Sequence, residues 1–215
     1  MTLLTNGFDP VEVTAPRRAS RKRDDICILH AGEIYVDRDP SSALRAIVDV
    51  NSERRAGSPL VRMNFLGRDS TGRVAAALSL LPAGHEAVTV KDHVPFEEAR
   101  QAMLEADILC VIQGVVSMPL AIPAKLYEYI AVAKPVLALA VPGSDIEWVL
   151  KECGATYRIA DPSDYWAIKR AVVELVAEIA EPSETPALKD ELLAFTREAL
   201  ARRLAVHLNT RPGRK

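Results

Sequence analysis

At 215 residues, with a formal net charge of -2 and a pI near 6.1, the chain is long enough for one well-buried domain with extra segments, and its charge offers nucleic acid no global attraction. Three cysteines, Cys27, Cys110 and Cys153, lack metal-ligand spacing, and two of them fall in apolar strand-like runs, which fits reduced thiols and a cytoplasmic setting. No apolar segment follows a basic start, and every long apolar run is broken by Lys or Pro, so neither a signal peptide nor a bilayer-spanning helix is expected.

Residues 1–23 read as a linker entering a domain: a short apolar start, the turn-like NGFDP at 6–10, and a basic run of Arg17, Arg18, Arg21, Lys22 and Arg23 that reads as a solvated stretch. ICILHA at 26–31 is a buried strand, followed by a loop over 32–40 and a helix to about residue 55 that Ser41 or Ser42 can cap. Residues 60–67 form the next strand, 74–81 a short helix and 88–90 a weak third strand. A helix over 95–106, with Pro at its start and acids in its first turn, leads to the strongly apolar strand ILCVI at 108–112.

A loop over 113–122 then opens into a helix from Pro123 and a fifth strand at 135–141. A helix over 145–152, a sixth strand at 155–160 and a helix over 163–179 follow. This alternation predicts an α/β, doubly wound parallel sheet over residues 24–180, buried on both faces. After a Pro-bearing break at 181–186, one long amphipathic helix, residues 187–209, stands outside the alternation.

Ligands of open parallel sheets bind beyond the carboxyl ends of the strands, which directs attention to the loops at 32–40, 67–72, 91–95, 113–122 and 142–145. The helix starting at Pro123 is the most informative of the nearby elements. Its free amides and dipole suit an anion such as phosphate, with Ala121, Ile122, Pro123 and Ala124 around its start and Lys125 in its first turn. Glu128, three residues on and surrounded by Leu126, Tyr127, Tyr129, Ile130 and Ala131, is a carboxylate that needs a partner. Pairing with Lys125 or exposure to water is the plainer reading of it.

Arg38, Arg68 and Arg73 lie in the first two loops and point to a phosphorylated ligand, although Arg38 sits between Asp37 and Asp39 and can equally form a surface ion pair. His30 ends an apolar strand and reads as a satisfied core histidine, whereas His93, at a strand exit, is a candidate ligand contact. Gly32 and Gly67 suit tight turns. There is no metal-ligand cluster, nucleophile elbow or Gly-x-Gly-x-x-Gly fingerprint, so no catalytic side chain and no metal is assigned.

These residues resemble the C-terminal, donor-binding half of a retaining GT-B glycosyltransferase, of the large nucleotide-sugar-dependent family with group 1 or family 4-like members. The likeness runs from about Thr5 to Asn209: NGFDP at 6–10 resembles the entry to the donor half, HAG at 30–32 its first β-loop, NFLG at 64–67 its second strand and glycine turn. PAKLYEYIAVAKPVLAL at 123–139 resembles the signature helix and strand, and 195–208 the terminal helix that packs back towards the other half. The resemblance gives Glu128 the role of the second acid of a paired-Glu motif, gripping the ribose hydroxyls. It places Arg38, with Lys125 as a second candidate, on the diphosphate, and Gly32 in the first β-loop. The family's first acid, expected at Leu120, is absent, and Glu33 stands where an arginine is usual.

The implied function is binding of a nucleotide-diphosphate sugar, as substrate and with no further cofactor, for retaining transfer to an acceptor held by a missing N-terminal GT-B domain. The chain alone is then expected to bind donor without efficient transfer. Peripheral membrane association of the full enzyme is compatible with this reading. So is self-association through an apolar stripe of Phe195, Leu200, Leu204 and Leu208. Two alternatives stay open: a non-catalytic Rossmann-like interaction module, and a sugar-nucleotide epimerase of related architecture.

Overall fold

The computed structural model describes residues 4–9, 24–81, 85–114, 122–180 and 190–209. Its centre is a six-stranded sheet in the order β3-β2-β1-β4-β5-β6, every neighbouring pair parallel. The strands are β1 (Asp25–Ala31), β2 (Leu60–Leu66), β3 (Val88–Lys91), β4 (Ile108–Ile112), β5 (Val136–Leu139) and β6 (Tyr157–Ala160). Between them run α1 (Ser41–Glu53), α2 (Arg73–Ser79), α3 (Phe96–Glu105), α4 (Ala124–Ala131) and α5 (Asp145–Glu152), and α6 (Tyr165–Ala180) follows β6. This is the doubly wound α/β arrangement that the alternation predicts.

The period-two alternation of β side chains sorts the core into two layers. Leu29, Leu109, Val111, Val136 and Ala138 join α4 and α5 in one cluster. Ile28, Ile108, Cys110, Ile112, Leu137 and Leu139 join α1, α2 and α6 in the other. β4 and β5 carry no polar residue because these two layers cover both of their faces.

Three local expectations are corrected. The first turn of α1 is not capped by Ser41 or Ser42; Pro40 occupies the cap position, and the Asp39 carboxylate accepts the Ser41 N–H at 2.9 Å. Pro123 precedes α4 in an extended conformation and is not its first helical residue. The long terminal helix is two helices, α7 (Asp190–Leu193) and α8 (Arg197–Asn209).

The break at the terminal helix has a cause in the N-terminal segment. Thr196 forms a parallel bridge with Phe8; the Phe8 N–H donates to the Phe195 carbonyl at 3.3 Å and the Arg197 N–H to the Phe8 carbonyl at 2.9 Å. An extended partner claims the backbone groups that would have continued the helix. Phe8, Phe195 and Leu200 are buried there, with the Phe195 ring 6.3 Å from both Tyr127 and Trp148. Leu204 and Leu208 remain 41% and 56% exposed, so the expected stripe is half covered by the domain itself. The basic run at 17–23 lies outside the described residues.

Candidate functional site

The sheet order reverses direction between β1 and β4: from β1 the chain winds outward to β2 and β3, and from β4 outward to β5 and β6. In open sheets of this kind the ligand crevice lies at such a switch point, beyond the carboxyl ends of the two central strands; here the β1–α1 loop reaches the exit of β4, where a Cβ on Gly114 would run into the Asp37 carboxylate. Two glycines line the β1 side. Gly32 follows β1 with φ +126° and donates its N–H to Leu66 at 2.7 Å; Gly67 follows β2 with φ +144° and donates to Lys91 at 2.8 Å. A Cβ on Gly67 would stand 2.6 Å from the Gly32 carbonyl group, so the two strand exits abut because Gly67 has no side chain.

α4 turns Leu126, Tyr127, Tyr129, Ile130 and Ala131 into the core and ends at Ala131; two residues on, the left-handed φ of +51° at Ala133 redirects the chain towards Pro135 and β5. Tyr129 fixes the helix to β1: its hydroxyl accepts the Ala31 N–H at 2.8 Å and donates to the Ala31 carbonyl at 3.3 Å. Tyr129→Phe is expected to destabilise the domain by about 1–3 kcal/mol, because a buried strand-end N–H loses its acceptor. An unchanged urea midpoint would show that the ring alone does the work.

With five of its eight positions buried, α4 leaves Lys125 and Glu128 as its polar groups, one turn apart and half-buried. The Lys125 amine reaches 2.9 Å from His30 Nε2, and a Cβ on Gly32 would meet it at 2.7 Å, so the missing side chain of Gly32 makes room for it. Burial pushes the Lys125 pKa down to about 7, and the Arg38 charge pushes the same way against weaker pulls from Cys110 and Glu128. Burial raises the Glu128 carboxyl above its ordinary range, opposed by the guanidinium of Arg197 and by Lys125. Among the described residues Glu128 makes no hydrogen bond and no ion pair, so neither the Lys125 pairing nor full exposure describes it.

Arg38 donates from Nη1 to the Glu33 carbonyl at 3.0 Å and lies 4.6 Å over the Tyr35 ring, and its charge is felt at both Lys125 and His30. The structure thus brings Arg38, Gly32, Lys125 and Glu128 to one end of the sheet. Helix amides contribute less widely than expected. Pro123 has no N–H and the Leu126 N–H is taken by the Pro123 carbonyl, which leaves the amides of Ala124 and Lys125; Ile122 is half-buried against the core and Ala121 lies outside the described residues.

His93 is not brought to the site. It is exposed beyond β3, at the sheet edge with β2 between it and β1, and its N–H donates to the Asp92 carboxylate. Three groups that reading the residues in order did not assign to the site are His30 beneath Lys125, Tyr129 behind β1 and Arg197 beside Glu128. Only the need of a strand-end histidine for partners hinted at the first. Among the described residues no group of His, Cys, Asp and Glu could hold a metal ion, and no helix is long and apolar enough to cross a membrane.

The fold is that of a Rossmann-like domain of GT-B enzymes. Sucrose-phosphate synthase from Thermosynechococcus elongatus superposes with a TM-score of 0.64 at 17% identity, over 97% of this chain and 52% of that one. The E. coli trehalose-6-phosphate protein bound with UDP-2-fluoro glucose gives 0.62 at 10% identity, over 97% and 51%. A putative UDP-N-acetylglucosamine 2-epimerase from Listeria monocytogenes gives 0.52 at 13% identity, over 88% and 46%. The chain spans about half the length of these structures. No protein-family model and no curated protein matches its sequence.

Proposed function

We propose that the chain is the donor-binding domain of a retaining glycosyltransferase. The observation that carries this reading is the placement, one turn apart on the helix beside the β1–β4 switch point, of Lys125 and a Glu128 carboxylate that is unbonded among the described residues. The diphosphate of a nucleotide sugar lies against the Lys125 amine, the Ala124 and Lys125 amides and Arg38. Glu128 accepts both ribose hydroxyls, for which a carboxylate offers two charged acceptor oxygens. Departure of the diphosphate from the sugar is then assisted by a cation and helix-end dipoles already aimed at the developing charge. The acceptor binds on a second domain, which also covers Leu204 and Leu208, and the 215 residues alone bind donor without efficient transfer.

Calorimetric titration with UDP-, GDP- and ADP-sugars tests this directly: one base is expected to bind, and absence of heat from all of them with folded protein rejects the reading. Glu128→Gln is expected to weaken that binding by about 1–3 kcal/mol, the usual loss for a hydrogen bond to a charged acceptor. An unaltered affinity would remove Glu128 from the ribose. Product analysis after incubation with the bound nucleotide sugar separates transfer from epimerisation.

A further inference from the structure

His30 is wholly buried at the end of β1, and both of its ring nitrogens are engaged. Nδ1 lies 3.0 Å from the Cys110 carbonyl on β4, which can only accept, so Nδ1 carries the hydrogen and Nε2 presents a lone pair. The Lys125 amine, 2.9 Å from Nε2, is therefore the donor. The alternative tautomer would leave the Cys110 carbonyl without a hydrogen and turn Nε2–H towards the amine in its charged form. The Phe65 ring, 5.9 Å away, closes another side of the imidazole.

We propose that His30 is the positioning residue of the donor site: locked by the Cys110 carbonyl, it accepts a hydrogen bond from Lys125 and holds that amine over Gly32, where an entering diphosphate meets it. The inference rests on the donor-site reading for the identity of the anion, but not for the His30–Lys125 pair. Among the described residues the titratable and charged groups around the amine are His30 on β1, Arg38 from the β1–α1 loop, Cys110 on β4 and Glu128 on α4 itself. Burial and the neighbouring Lys125 charge hold His30 well below the usual imidazole range, so the ring stays neutral and remains an acceptor.

One consequence is proton uptake. An amine poised near neutrality becomes fully charged when a phosphate anion arrives, so affinity is flat below the free-site value of about 7 and falls as pH rises through it.

Nitrogen NMR of the ligand-free protein gives the first test. The expected result is a neutral Nδ1–H ring that does not titrate between about pH 6 and 9, with Lys125 titrating well below the other lysines. An Nε2–H ring, or a Lys125 that titrates with the surface lysines, overturns the proposal whatever the ligand. The second test is UDP affinity against pH for wild type, His30→Leu and His30→Gln, with folding checked by thermal melting.

The wild-type affinity is expected to fall about tenfold per pH unit above the knee. His30→Leu moves that knee down by about one unit or more, since an acceptor that favours the charged amine is gone, and His30→Gln, which keeps an acceptor, returns it upward. Equal loss for folded His30→Leu at every pH is what mere packing predicts and overturns the proposal. Failure of folded wild type to bind any of UDP, GDP, ADP and pyrophosphate, with the tautomer as expected, instead rejects the donor-site reading.

Discussion

Lys125→Met is expected to weaken UDP binding about 10- to 150-fold at pH values where the wild-type amine is charged, the equivalent of about 1.5–3 kcal/mol for a charged donor lost from a partly desolvated site. Methionine keeps the length of the side chain and fills the space over Gly32, so the loss reports charge and hydrogen bonding more than packing. The same substitution has an opposite effect on stability. Because folding lowers the Lys125 pKa from 10.5 to about 7, the unfolded chain holds more protons between those values, and this group makes the free protein more stable as pH rises through that window. Below about 7 the amine is charged in both states and its burial cost is fully present. Lys125→Met should therefore stabilise the ligand-free domain at acid pH and flatten the rise in urea midpoint towards alkaline pH. A variant that binds UDP as the wild type does would remove Lys125 from the diphosphate.

The largest effect on folding is expected at Gly67. Gly67→Ala adds a methyl group that stands 2.6 Å from the backbone of Gly32, at a φ of +144° that a side chain resists, and neither strand exit can retreat without breaking sheet hydrogen bonds. Strain and overpacking together place the cost at about 2–5 kcal/mol by urea denaturation. Gly57→Ala is the internal control: its φ is +83°, but no atom lies within 4 Å of the new carbon, so only the conformational cost of about 1 kcal/mol remains. Equal losses at the two positions would show that the abutting loops give way.

Much of the fold was legible because its rules are local. The apolar runs ILCVI and VLAL read as strands covered on both faces, and the helices between them follow from their periodicity. Lys125 and Glu128 could be placed together because three residues on a helix is a fixed geometry. What escaped depends on distance in the chain. His30 meets Lys125 across 95 residues, and no spacing rule connects them. The terminal helix breaks because Phe8, far off in sequence, competes for the backbone at Thr196. His93 reads as a candidate ligand contact because its loop lies at a carboxyl end, but strand order puts that end at the outer edge of the sheet. Strand order is a property of pairing, and pairing between buried parallel strands leaves little trace in either strand's own residues.

The pairing of β1 with β4 has a consequence for how the chain acquires its shape. Cys27 and His30 meet Asp107 and Cys110 across a sequence separation of 80, whereas β1 with β2 and β2 with β3 close much shorter loops. As the chain is synthesised, the first three strands can therefore associate while the inner edge of β1 stays unpaired, an adhesive edge until β4 arrives. Joining the two halves both seals that edge and sets His30 against Cys110 and Lys125, so that cluster cannot form before the halves meet.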